Sequence, residues 1–173
     1  MQQSLKSFIP FEQQFIGVHV FGYATKGLPG LEVVGLGKYS RNIKEKLIYL
    51  TRLEEMVLPK RRYVLCVEQD EEIKGLREDH LRWLELPLLL LYWTLAEALD
   101  IHQLRNCFCA GKVRLDGSLA PQKFPETYLA NLESSENELL FLVHSRNNLP
   151  EGCSIIELEE LLKGRLEFKS EVF

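Results

Sequence analysis

Gly27-Leu-Pro-Gly-Leu-Glu-Val-Val-Gly-Leu-Gly-Lys38 is the stretch on which the fold class turns. Read as a phosphate loop, it would open a nucleotide-binding domain; read as turn, strand and turn, it belongs to a mixed sheet. A phosphate loop needs Gly, four residues, then Gly-Lys-Ser/Thr, so that backbone N–H groups and the lysine cradle phosphate while the hydroxyl holds magnesium. Here Gly37-Lys38 is followed by Tyr39, and Glu32 stands five positions before Gly37. The motif fails at both ends, so ATP binding and any nucleotide cofactor are not expected. The glycines then shape turns, because they tolerate the positive φ that tight turns demand. Between them Leu31–Val34 has strand character, and we expect it to pair with an extended segment over 11–23 that carries Phe15, Val18, Val20 and Phe21.

Downstream, Ser40 is placed to cap a helix whose stripe runs Ile43, Leu47, Leu50, Leu53, Val57, at spacings of three and four. Leu58-Pro59 is the expected stop, and Arg62–Val67 reads as a short apolar strand. After a polar insert with at most a helical turn or two, Pro87 suits the first turn of a helix, where its missing N–H costs nothing. Leu88–Leu99 is apolar nearly all round, which predicts a helix buried on most sides. Phe108–Leu115 alternates into Asp116-Gly117, a hairpin-turn dipeptide. A helix is expected over Phe124–Glu133 and a buried strand over Leu139–Val143. Ser154-Ile-Ile-Glu157 has the form of a capping box for a closing helix with Leu158, Leu161 and Leu162, stopped by Gly164. Strands and helices alternate without repeat or linker. The expectation is one α/β domain, a mixed β-sheet with packed helices, over 11–164, with an N-terminal extension over 1–10 and a C-terminal tail over 165–173.

Composition limits the function classes. At 173 residues, with 46% hydrophobic, the chain is long enough for one domain with its own core. The uncharged centre Leu86–Ala96 is eleven residues between Glu85 and Glu97, whereas a membrane-spanning helix needs about 20. Met1–Pro10 lacks the apolar core of a secretory signal, so the expected compartment is the cytoplasm. Cys66, Cys107, Cys109 and Cys153 read as reduced thiols; Cys107-x-Cys109 is too close for the usual zinc or redox spacing. His19, His80, His102 and His144 are scattered, so no metal is expected, and Ser118 reads as a turn residue rather than a nucleophile. Charge is uneven. Lys38–Arg62 carries eight basic residues against three acidic ones, and Glu68–Glu85 carries seven acidic against three basic. Within the basic block, Arg41, Lys44, Lys60, Arg61 and Arg62 are the candidate surface for an acidic partner or polyanion.

The order of these pieces resembles the N-terminal domain of the ComM/magnesium-chelatase-like family. Gly27-Leu-Pro-Gly30 before a strand ending Val34-Gly-Leu36 resembles that family's opening turn and strand. Leu86-Pro-Leu-Leu-Leu90 is similar to its Leu-Pro helix start, and Ala110-Gly-Lys-Val-Arg-Leu-Asp-Gly-Ser-Leu-Ala-Pro121 to its Asp-Gly-Ser-Leu hairpin. Ser154–Gly164 resembles its closing helix, so the likeness spans Phe11–Gly164. The resemblance implies the fold shared by the Lon protease catalytic domain and domain 2 of ribosomal protein S5. In full-length relatives this domain precedes a hexameric AAA+ ATPase linked to DNA handling during natural transformation. The relatives with protease activity use a Ser–Lys pair, the serine in a small-residue turn before the helix matching Pro87–Leu99. Here that region reads Leu76-Arg-Glu-Asp-His-Leu-Arg-Trp-Leu-Glu-Leu-Pro87, without serine, and Lys123 is the nearest lysine after the hairpin, out of register. The resemblance therefore implies a non-catalytic protein-interaction or regulatory module, with an AAA+ ATPase or a second copy as partner. The alternatives are an ATP-independent peptidase with a rearranged site using Lys123, and weak nucleic-acid binding through Lys38–Arg62.

Overall fold

The structure is a computed structural model that describes residues 1–12, 14–68, 71–99, 101, 104–105, 107–120, 140–143 and 154–157. Among the described residues, seven strands form one mixed sheet: β1 (Gln2–Phe11), β2 (Gln14–Thr25), β3 (Gly30–Val34), β4 (Arg62–Val67), β5 (Cys107–Phe108), β6 (Leu140–Val143) and β7 (Ser154–Glu157). Their spatial order is β3-β4-β2-β1-β5-β6-β7. Helices α1 (Ser40–Leu53) and α4 (Glu85–Leu95) pack on the sheet, and the short α2 (Glu71–Lys74) and α3 (Glu78–Leu81) lie between β4 and α4. A mixed α/β sheet with packed helices is thus the architecture. Among the described residues, no helix is long and apolar enough to cross a membrane.

Several expectations are corrected. Residues 1–10, expected to form an extension outside the domain, make up most of β1. This strand pairs antiparallel with β2 from Gln2↔Tyr23 to Phe11↔Gln14, turning back at Glu12, whose φ is 55°. β1 lies inside the sheet because Leu5, Phe8 and Ile9 are all buried, with 1% exposure or less. β3 does not pair with the first extended segment. It runs parallel to β4, which itself pairs antiparallel with β2. A short five-residue connection between β3 and α1 carries the chain over the sheet, and the return strand β4 then lies parallel to β3, as a strand–helix–strand crossover requires. Ser154–Glu157, expected to be a capping box, is strand β7, parallel to β6. Consecutive Ile155 and Ile156 favour extended backbone, and a neighbouring strand supplies their hydrogen bonds. The helix expected over 124–133, the helix after Glu157 and the tail over 165–173 lie outside the described residues.

The α1 stripe is confirmed at Ile43, Leu47 and Leu50, all buried, but the helix stops early. Leu53 and Val57 are exposed, 44% and 90%. The terminator is Glu55 at φ 52°, with its N–H on the Arg52 carbonyl (2.9 Å) and the Met56 N–H on Thr51 (3.0 Å). That is a Schellman ending, normally a glycine's place, with buried Met56 as its apolar contact. α4 ends the same way at Glu97, φ 56°, with Ala98 N–H on Trp93 (2.8 Å). Ser40 lies inside the helical run rather than capping it, because a 3-10 turn over Gly37–Tyr39 leads directly into α1.

The glycines of the opening stretch do shape turns. Gly35 has φ +100°, and a Cβ there would run into the Val67 carbonyl, so only glycine lets β3 leave the sheet at this point. Within β2, Gly22 permits close approach of α4: a Cβ would lie 2.6 Å from the Val64 carbonyl oxygen and 3.2 Å from a Leu95 methyl. The expected all-round burial of the central helix is observed, with every residue of α4 buried. A buried hydrogen bond joins the two main helices. Trp93 Nε1 donates to Thr51 Oγ1 (2.9 Å), which donates to the Leu47 carbonyl (2.7 Å).

Thr51→Val keeps shape and removes the acceptor for the buried Trp93 N–H, which costs about 1–3 kcal/mol of stability. Chemical denaturation checks this; an unchanged midpoint would show that the indole has another partner.

Candidate functional site

A carboxylate in the interior must be matched by donors, and Glu85 is the clearest case among the described residues. It opens α4 at 3% exposure. Oε2 accepts from Lys46 Nζ on α1 (2.7 Å) and from the Val113 backbone N–H (2.8 Å), while Oε1 accepts from Arg82 Nε (3.0 Å). One side chain thereby ties together α1, the start of α4 and the hairpin. Pro87 reinforces the same junction. Lacking an N–H, it leaves the Trp83 carbonyl four residues earlier without a helical donor. Gly111 N–H takes that carbonyl (2.8 Å), and the Gly111 carbonyl accepts from Leu86 N–H (3.1 Å).

A cleft of about 460 Å³ opens beside this junction, lined by Asn42, Ile43, Lys46, Glu78, Asp79, Arg82 and Glu85. Lys46, Arg82, Glu85 and Asp79 are already paired. Asp79 accepts from Lys112 Nζ (2.7 Å), and that hydrogen bond holds the Asp79 carboxyl below its ordinary range. Asn42 Nδ2 donates to Glu78 at 3.4 Å. Lys112 also lies 5.9 Å from the centre of the Trp83 ring. A general acid or base must keep a lone pair or proton for substrate. Glu85 has spent its oxygens on three fixed donors, so the arrangement works as an anchor.

The expected surface residues are not gathered into one patch. Arg41 and Lys44 lie early in α1, beside the C-terminal end of β3, whereas Lys60, Arg61 and Arg62 precede or begin β4, at the other end of the parallel β3–β4 pair. Three of the five face acids. Arg62 makes a two-pronged pair with Glu32 (both 3.0 Å), Arg61 meets Glu97 (3.1 Å), and Lys44 lies 3.7 Å from Glu45. Arg41 and Lys60 are exposed. Ser118 is a turn residue, as expected: its N–H (2.9 Å) and Oγ (2.6 Å) both donate to Asp116 Oδ1, with Gly117 at φ 84° completing the turn. Lys123 lies outside the described residues.

Cys107 and Cys109 are core thiols; burial pushes Cys107 up to about 11 and Cys109 well above the ordinary thiol value. Among the described residues, no group of three His, Cys, Asp or Glu could hold a metal ion.

The Lys46–Glu85–Arg82 junction was missed from the sequence, although signals existed. Lys46 falls at i+3 from Ile43 and four before Leu50, inside the apolar stripe. Glu85 is the last charge before the longest uncharged segment of the apolar centre. Set against known proteins, the chain matches no family model and no curated protein.

Glu85→Gln weakens both ion pairs and lowers stability by about 3 kcal/mol, and Lys46→Met costs much less in that background than in the natural chain. Strict additivity in denaturant midpoints would refute the pairing. With a thiol reagent near pH 8, Cys107 and Cys109 stay unmodified while folded, because burial keeps their thiolates scarce; mass mapping of labelled peptides checks it, and rapid native labelling of either would place it at the surface.

Proposed function

We propose that this chain is a non-catalytic binding module of the ComM N-terminal type, with the S5 domain 2/Lon-like fold. In this reading it works by engaging a protein partner, an AAA+ ATPase of DNA processing or a second copy of itself. The observation that carries the proposal is the Glu85 junction. In the resembling proteases, the turn before the helix presents a serine to solvent and substrate. Here the same stretch is helical over Glu78–Leu84 and leads straight into α4, and its one buried charged group is consumed by Lys46, Arg82 and Val113. A nucleophilic mechanism needs a serine, threonine or cysteine within reach of a base, and Leu76–Pro87 carries none of the three.

The contact between Gly111 and the Trp83–Leu86 turn gives further support. It brings together the Leu-Pro helix start and the Asp-Gly-Ser-Leu hairpin, two of the segments on which the resemblance rests. The two backbone hydrogen bonds that join them involve no serine or lysine side chain, so a scaffold of this kind tolerates loss of the catalytic pair.

The purified protein is expected to leave an unfolded polypeptide substrate intact over prolonged incubation. It is expected to form a defined complex with an AAA+ ATPase of its own genome, or a concentration-dependent oligomer, by light scattering coupled to gel filtration. Peptide cleavage abolished by Lys123→Ala would replace the proposal with the peptidase reading. A monomer that binds no such ATPase would overturn it.

A further inference from the structure

The glycine-rich turn that fails as a magnesium–nucleotide loop lines a cleft of its own. This cleft is separate from the Glu85 junction and has a volume of about 370 Å³. One wall is Gly35–Tyr39, leaving β3; the other is formed by Ile73, Lys74, Leu76, Arg77 and Leu81 from α2, α3 and their connection. Its apolar part is built from Leu36, Ile73, Leu76 and Leu81, each less than 8% exposed. Lys38 and Arg77 supply positive charge at its exposed lip. Lys38 Nζ sits 5.1 Å from the centre of the Tyr39 ring. A carboxylate is absent from the lining among the described residues.

Backbone geometry adds donors on the same wall. The helical run that continues into α1 makes its first bonds from Tyr39 N–H to the Leu36 carbonyl (3.1 Å) and from Ser40 N–H to Gly37. The N–H groups of Gly37 and Lys38 precede those bonds, where helical runs leave donors for an anion. Gly37 has φ +55°, and a Cβ there would meet nothing within 4 Å, so the backbone at this point borders open space.

From the shape and chemistry of this cleft, we infer that it binds a phosphate monoester carrying one apolar or aromatic group. The phosphate lies among Arg77, Lys38 and the Gly37–Lys38 amides, and the apolar group rests on Leu76, Leu81 and the Tyr39 ring. Arg77 presents a planar fork that suits phosphate oxygens, and Lys38 adds a point charge. Binding needs no magnesium, because Tyr39 stands where a phosphate loop has the hydroxyl that holds the metal. The volume falls within the range of small-ligand pockets, about 300–1,000 Å³. The inference is independent of the proposed partner function and survives its failure.

Phenyl phosphate is the minimal probe, titrated into the full chain with amide chemical shifts as readout and inorganic phosphate and benzyl alcohol as comparisons. Phenyl phosphate is expected to shift amides of Gly35–Tyr39 and Ile73–Arg77, equally with magnesium or with chelator, and to bind more tightly than either comparison. Arg77→Gln and Lys38→Gln are both exposed changes that leave the fold intact; each is expected to weaken binding by about tenfold, the loss of one charge-assisted contact, while Lys60→Gln leaves it unchanged. No shift in either segment at about 10 mM probe, where even very weak complexes form, would overturn the inference. Equal binding of phenyl phosphate and inorganic phosphate, or binding indifferent to Arg77→Gln and Lys38→Gln, would overturn it as well, leaving only nonspecific anion attraction.

Discussion

An acidic side chain carried into a protein interior loses its water and must recover the lost hydrogen bonds from fixed donors. Glu85 does so with Lys46, Arg82 and the Val113 N–H, and the rest of the helical layer is arranged around that requirement. Lys46 can reach it only if α1 lies across α4, and Val113 only if the hairpin folds back over the start of α4. The Trp93–Thr51 hydrogen bond fixes the same pair of helices further along, and Gly22 lets α4 settle close to the sheet. Each contact enforces the geometry the others need. Removing one partner of such a cluster is costly because the remaining charge stays in a poorly solvated place.

That constraint also bears on function. The start of a buried helix beneath a hairpin is a favourable location for chemistry, since it can offer unpaired backbone N–H groups. Here the Leu86 N–H is taken by the Gly111 carbonyl, and Glu85 sits in a satisfied ionic network at the edge of the cleft. Glu85, the buried charge at that start, is committed to architecture. On the far side of α1's first turn, Lys38 and Arg77 border a second cleft and make no ion pair among the described residues. Binding chemistry and structural chemistry are therefore divided between two clefts.

Much of the architecture was legible wherever pattern and burial agree. Ile43, Leu47 and Leu50 announced α1, the uncharged run after Pro87 announced α4, and Arg62–Val67 announced β4. The failures have physical causes. β1 escaped notice because its alternation is broken: Ser7 occupies a core-facing position between Leu5 and Ile9, while Phe8 is buried on the opposite side. The pairing of β3 with β4 is nonlocal and leaves no mark in the residues of either strand. α1 falls short of the end its stripe suggests because Glu55 adopts a backbone conformation that usually signals itself as glycine, as Glu97 does after α4. Ser154–Glu157 satisfies a capping-box pattern locally, but the edge of β6 outweighs it. Of the candidate site, the basic residues were identifiable but their distribution was not, because position along the chain does not reveal which end of a sheet a residue occupies. Lys46 and Glu85 could not be paired without knowing that α1 crosses α4.

The most direct test of this account is native-state hydrogen exchange at the Gly111 and Val113 amides, in the natural chain and in Glu85→Gln. If Glu85 anchors the hairpin to α4, both amides are strongly protected in the natural chain. The substitution should then cut their protection by about tenfold or more through local opening, while amides of the β1–β2 pair change only as much as global stability does. Equal loss of protection across hairpin and sheet, or no loss at Gly111 and Val113, would contradict the claim that this carboxylate organises the site.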